Sequence, residues 1–243
     1  MLSAIVALAL ISTFLSSTNQ LSKSQENLTG EICFAPATEN LTYYEVSMRV
    51  PAVDEEGNGV ATNLTVESKP GTGRVLVDVN QLFFWVDTQD SIRTAQRVAQ
   101  NVTKINLTNV DLVYAIETDA SLIGGPSAGA ALTIATVAAI EKKNINSSVM
   151  ITGTINYDGS IGAVGEVLAK TKAAKGIGAK LFLVPEGQSV QTYYTPEENC
   201  KHFGPMTYCT TEYKVEKINI TKDAEIETRE VSSIQEALKY FLE

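Results

Sequence analysis

The segment Gly124-Gly125-Pro126-Ser127-Ala128-Gly129-Ala130 sets a hydroxyl where a nucleophile could work. Two glycines and a proline make a tight turn, and small residues then open an apolar run, so Ser127 is predicted at a helix N-terminus. Free N–H groups and the positive end of the helix dipole favour negative charge there. The backbone around Gly125, Pro126 and Ala128 is the candidate oxyanion and substrate surface, because small side chains let a carbonyl approach. A serine that only caps a helix would look much the same. A serine nucleophile also needs a base, since its hydroxyl scarcely ionises at neutral pH. His202, the one histidine, sits between two cysteines with no orienting acid beside it and reads as a surface side chain. Lysine can serve if burial keeps its amine neutral. Lys170, Lys172 and Lys175 share one helical segment, and spacing alone does not choose among them.

The elements that must carry these residues follow from periodicity. Strands are predicted over 41–50, 59–67, about 73–79 and 111–117, with Glu55 to Gly59 as a turn. Helices are predicted over 87–102 and from Pro126 to Lys142, the first with Ile92, Ala95, Val98 and Ala99 at helical spacing. A strand over 149–155, a short one over 159–164, a helix over 164–176 and a strand over 180–184 follow. Residues 187–222 read as polar and irregular; a strand over 224–229 and a helix over 232–242 close the chain. Such an order indicates an α+β domain, an α/β-type mixed sheet with packed helices.

Two stretches, GGPSAGAALTIA and MITGTINYDGSIGAVGEVLAKTKAAKGIGAKLFLVPEG, resemble the proteolytic domain of Lon proteases, a Ser–Lys peptidase family. In that family the nucleophile lies in G-P-S-A-G. A T-G strand follows, then a V-G-G helix whose lysine is the base. The resemblance implies Ser127 as nucleophile and Lys170, 43 residues later, as base, with Thr152 supporting the lysine and Lys172 and Lys175 on the surface. It covers about residues 42–186 and resumes in the last helix. It implies a ribosomal protein S5 domain 2-like fold, polypeptide substrates, a homo-oligomeric ring and no cofactor. The implied activity is that of a serine endopeptidase acting on unfolded or flexible chains.

The sequence also departs from the family. Gly124 replaces an acidic residue common before G-P-S, Thr154 a frequent Glu, and Glu166 the second glycine of the lysine element. The ATPase module that usually feeds this domain is not among these 243 residues, and no G-x-x-x-x-G-K-[ST] phosphate loop occurs in them. The expectation is therefore an ATP-independent, archaeal-like exported member. A non-catalytic oligomeric scaffold that keeps the fold is the alternative. A small-molecule kinase has only the Gly-rich turn in its favour.

Composition agrees with export. The 243 residues are 44% hydrophobic and 19% charged, enough for one substantial core. A net charge of −9 lacks the basic footprint of nucleic-acid recognition. Residues 1–18 begin with an apolar run, Leu2 to Leu15, and read as a signal peptide or an N-terminal membrane anchor. Residues 19–40 read as a polar linker, and 41–243 as the domain with an added Cys-containing segment at 187–222. The expected location is extracytoplasmic, secreted or held at the outer face of a membrane. Seven N-x-[ST] sequons, at Asn27, Asn40, Asn63, Asn101, Asn106, Asn146 and Asn219, exceed the roughly two that chance would place. They suggest N-glycosylation. Cys200 and Cys209 are close enough to pair, leaving Cys33 over. Without a C-x-x-C spacing a zinc site is not expected.

Overall fold

The computed structural model describes residues 42–54, 56–78, 86–117 and 125–242. The leader or anchor over 1–18, the linker over 19–40, Cys33, Asn27, Asn40 and Gly124 lie outside the described residues. The fold is α+β. Strands β1 (Tyr44–Val53) and β2 (Gly59–Pro70) pair antiparallel, with Val46 opposite Val66 and Met48 opposite Leu64. Their turn is built by Asp54, whose carboxylate accepts from the N–H groups of Glu56 and Asn58. β4 (Val110–Glu117) lies antiparallel to β2, and β3 (Val75–Val77) runs parallel to β4, giving the order β1-β2-β4-β3. Asp111, buried in β4, accepts from the backbone of Thr72 and Arg74 and from the Arg74 guanidinium. Those bonds, the guanidinium's first, hold its carboxyl down at about 2.

Helices α1 (Val86–Thr103) and α2 (Gly129–Glu141) pack against each other. α2 is apolar all round and buried along nearly its whole length, between α1, the β1–β2 face and the C-terminal helix α5 (Ile234–Phe241). Its polar groups are satisfied locally: Thr133 and Thr136 donate to carbonyls one turn back. The Tyr114 hydroxyl meets Thr136 at 2.9 Å in the core. A second, parallel sheet of order β11-β8-β5 comprises β5 (Val149–Ile151), β8 (Leu181–Pro185) and β11 (Glu227–Val231). α3 (Val167–Gly176) buries Val167, Lys170, Thr171 and Ala174, one face at helical spacing. Val167 and Ala174 pack with Met150, Phe182 and Val184 of this sheet and with Ile220 and Ala224 of α4 (Ile220–Ala224).

Three expectations need correction. The strand over 149–155 is broken after Ile151, and Thr154–Ile155 forms a separate β6 paired with β7 (Ile161–Gly162). The last strand begins at Glu227, since Ala224 still belongs to α4 and Glu225 turns left-handed. The largest difference is in 187–222. Val190–Phe203 and Met206–Asn219 form β9 and β10, an antiparallel ribbon with a fourteen-residue register. Both of its faces are exposed over most of its length, so no buried face imposes the apolar–polar alternation by which a strand is recognised. Among the described residues, no helix is long and apolar enough to cross a membrane.

Candidate active site

Ser127 lies in a single 3-10 turn, Pro126–Ala128, that leads directly into α2. Gly125 precedes it at φ 95, ψ 160, a region that side-chain-bearing residues scarcely enter. A Cβ there would meet nothing, so backbone conformation alone demands glycine. Pro126 fixes the first position of the turn, where a missing N–H costs nothing.

The turn is pinned from below by the break after β5. The Ser127 carbonyl accepts from the Gly153 N–H at 3.0 Å and from the Thr152 hydroxyl at 3.4 Å. The Gly153 carbonyl in turn accepts from the Ala130 N–H at 3.0 Å. Thr152, 1% exposed, also donates its N–H to Leu183 of β8, which fixes the dipeptide to the parallel sheet. Close packing completes the clamp. A Cβ on Gly129 would lie 2.6 Å from an Ile155 methyl and 2.8 Å from the Ile155 nitrogen. The strand therefore breaks where its backbone turns to hold Ser127, and Gly153 is the one residue of Val149 to Ile155 whose type signals that break.

The backbone donors near Ser127 are partly committed. Pro126 has no N–H, the Gly129 N–H donates to Pro126, and the Ala130 N–H donates to Gly153. Gly125, Pro126 and Ala128 are exposed or half-buried, as is Ser127 itself.

Lys170 stands in the first turn of α3 and is 6% exposed. Lys172 and Lys175 face solvent on the same helix, and Lys175 pairs with Glu225 at 2.6 Å. Burial pushes the Lys170 amine down to about 8, while the nearby Glu166 carboxylate pulls the other way. Among the described residues, the Lys170 amine makes no hydrogen bond with Ser127 or Thr152; the Thr152 hydroxyl donates to the Ser127 carbonyl instead. The structure thus joins Ser127 with Thr152 directly, and buries Lys170 on the face of α3 that also carries Val167, Thr171 and Ala174.

Glu166, in a position where the family motif has glycine, is a charged neighbour of this lysine. It adopts φ 54, ψ 37 at the start of α3, the left-handed region that suits glycine, and its carbonyl accepts from the Lys170 N–H at 3.0 Å. A non-glycine residue there costs about 1 kcal/mol. Its charge raises both the Lys170 amine and the Tyr193 phenol, though burial is the larger cause for Tyr193. The available signal was a charged residue in a glycine position one helical turn before the lysine.

The remaining residues lie elsewhere. His202 is exposed on β9 with its Nδ1 2.9 Å from the Thr207 hydroxyl. Cys200 and Cys209 face each other across the ribbon and form a disulfide. Of the described sequon asparagines, Asn106 accepts from the Thr108 N–H and Asn146 from the Ser148 N–H and hydroxyl. Asn219 caps α4 through the Lys222 N–H. Asn63 accepts from the Ser47 hydroxyl within the sheet, and Asn101 is exposed near the end of α1. Asx turns and a helix cap thus give three of these asparagines a local backbone role.

Comparison with known proteins places the chain in a family. A family model described as the Lon protease (S16) C-terminal proteolytic domain matches residues 89–240. Lon protease 2 of Bacillus subtilis is 43% identical over 63 residues, 26% of this chain and 11% of that protein. The archaeal Lon protease of Methanocaldococcus jannaschii is 31% identical over 91 residues, 37% of this chain and 14% of that protein. The matched stretches span well under a fifth of these relatives.

Proposed function

The chain belongs to the Lon protease (S16) proteolytic-domain family, and from that premise we propose that it is a serine endopeptidase working through Ser127 and Lys170. The observation that carries the proposal is the burial of Lys170: of the three lysines on α3, it alone is shielded, with its amine lowered to about 8. A neutral amine is then available near neutral pH, as a general base requires.

In the proposed cycle, Lys170 takes the Ser127 hydroxyl proton as Oγ attacks the peptide carbonyl carbon. The Ser127 N–H, in the turn that opens α2, holds the resulting oxyanion. Collapse breaks the C–N bond, and the Lys170 ammonium gives its proton to the leaving amine. Water, deprotonated by Lys170, then adds to the ester carbonyl; the Oγ–C bond breaks, and the Lys170 ammonium returns its proton to the Ser127 oxygen. Thr152 acts by holding the Ser127 carbonyl. Reaching Ser127 requires the Lys170 amine to swing within its partly apolar surroundings when substrate closes the site, since catalytic contacts commonly tighten on binding.

Substrates are flexible or unfolded polypeptides, cleaved without ATP hydrolysis, outside the cytosol. The apolar N-terminal run and the sequons support the location, and so does the Cys200–Cys209 bond, which an oxidising compartment preserves. Cleavage of a casein-derived fluorogenic peptide by wild type, Ser127→Ala and Lys170→Ala tests the assignment. Both variants should be inactive while folded; equal turnover in all three defeats it. The scaffold reading draws on one observation, the missing Lys170–Ser127 hydrogen bond. It requires a Ser127→Ala protein with full biological effect.

A further inference from the structure

The ribbon of β9 and β10 concentrates apolar surface that the rest of the fold leaves unused. Of the ten large hydrophobic residues exposed among the described residues, seven lie on it. Two isolated strands are marginally stable in water. This pair extends for about 45 Å at the usual rise per residue.

Its two faces differ. Directly opposed residues share a face, so the register sorts them. One face carries Tyr193 and Ile218 at the base of the ribbon, half-buried beside Glu166 and Lys172 of the domain. The other face is exposed from end to end. At its middle stand two rungs, Pro196 opposite Tyr213 and Tyr194 opposite Val215. Tyr194 and Tyr213 are each 65% exposed and Val215 56%. The next rung toward the tip holds Glu198, and the next toward the base holds Lys217.

That order is self-complementary. A two-fold axis passing between the two middle rungs would lay Pro196 and Tyr213 on Tyr194 and Val215 of a second copy. The same axis sets the rung of Glu198 over the rung of Lys217 of the second copy, with the two charges diagonal to each other, and the disulfide rung over that of Val190. We infer that the outward face of the ribbon is a self-association surface, on which two copies stack their arms face to face in opposite directions. Four tyrosines at about 150 Å² each supply on the order of half of the roughly 1,200 Å² buried in a stable interface. The surrounding rungs provide the remainder. Stacking the arms in parallel would set the rung of Glu198 on its own copy and that of Lys217 on its own copy, bringing like charges together across each, so the inverted arrangement is selected. The inference does not depend on the proposed chemistry at Ser127.

Sedimentation velocity on the full chain tests it. Wild type should form a dimer, and Tyr213→Asp should raise its dissociation constant at least about 30-fold, the scale of a lost aromatic anchor. Glu198→Lys and Lys217→Glu should each weaken association, and the two together should restore it, with melting curves confirming that every variant folds. A monomeric wild type overturns the inference, as does association indifferent to the arm variants or a double reversal no tighter than the singles. A monomer whose Tyr213→Asp variant loses binding to unfolded casein overturns it in favour of substrate capture.

Discussion

β5 is wholly buried and α3 buries the face that carries Val167, Lys170, Thr171 and Ala174, whereas along β9 and β10 almost every side chain meets water. In the first region burial decides roles. It makes Lys170 a candidate base, leaves Lys172 and Lys175 as surface charges, and permits only glycine at 129. In the ribbon, cross-strand pairing and one disulfide must set the register with no core behind them. Glu197 even stands directly opposite Glu212, a pairing that works against the ladder. Substitutions should therefore act steeply in the first region and locally in the second.

The largest expected effect is at the site. Ser127→Ala and Lys170→Ala should each lower kcat/KM by about 10³-fold or more, the scale seen when one member of a catalytic unit is removed. Their thermal unfolding should stay close to wild type. Next comes packing. Gly129→Ala pushes a methyl against the Ile155 backbone and should destabilise by about 1–3 kcal/mol in urea unfolding. Tyr213→Ala on the ribbon should change monomer stability by less than about 0.5 kcal/mol. Comparable losses at the two positions would erase the contrast.

The same contrast explains what could be read from the sequence. α2 was legible because its turn signals and apolar run agree, and β1, β2 and β4 because one face of their sheet is buried. The Ser127 turn was legible from Gly125, Pro126 and the small residues after it. Selecting Lys170 needed the family register, since three lysines on one short helix look alike without burial. The break at Thr152-Gly153 has only one local signal, Gly153 inside a strand-like run, because the hydrogen bonds that cause it come from Ser127 and Ala130, distant in sequence. The ribbon escaped for the opposite reason: nothing buries it, so its residues carry no period.

A smaller effect concerns pH. The base is the neutral amine, so cleavage should rise tenfold per unit at low pH and level off above about 8. Glu166→Gln removes a charge that favours the ammonium form, and the midpoint should move to lower pH. Because Lys170 titrates below its unfolded value of 10.5, the folded state releases its proton first. Its burial therefore disfavours folding below about 8, and that penalty fades as pH rises toward 10.5. Glu166→Gly should shift the profile in the same direction as Glu166→Gln and add about 1 kcal/mol of stability by relieving the left-handed backbone. A profile unmoved by either change removes Glu166 from the account. Smallest of all, reducing Cys200–Cys209 should speed amide exchange in the ribbon and leave the melting of the domain nearly unchanged; cooperative loss of the whole fold would contradict that independence.

The central claim is that burial of Lys170 arms Ser127. It is tested most directly by the rate at which a serine-reactive fluorophosphonate acylates the folded chain across pH, with the adduct located by mass spectrometry. The expected result is a single adduct on Ser127, a rate that rises to a plateau with a midpoint near 8, and no adduct in Lys170→Ala. An unlabelled Ser127, or labelling equally fast without the Lys170 amine, contradicts it.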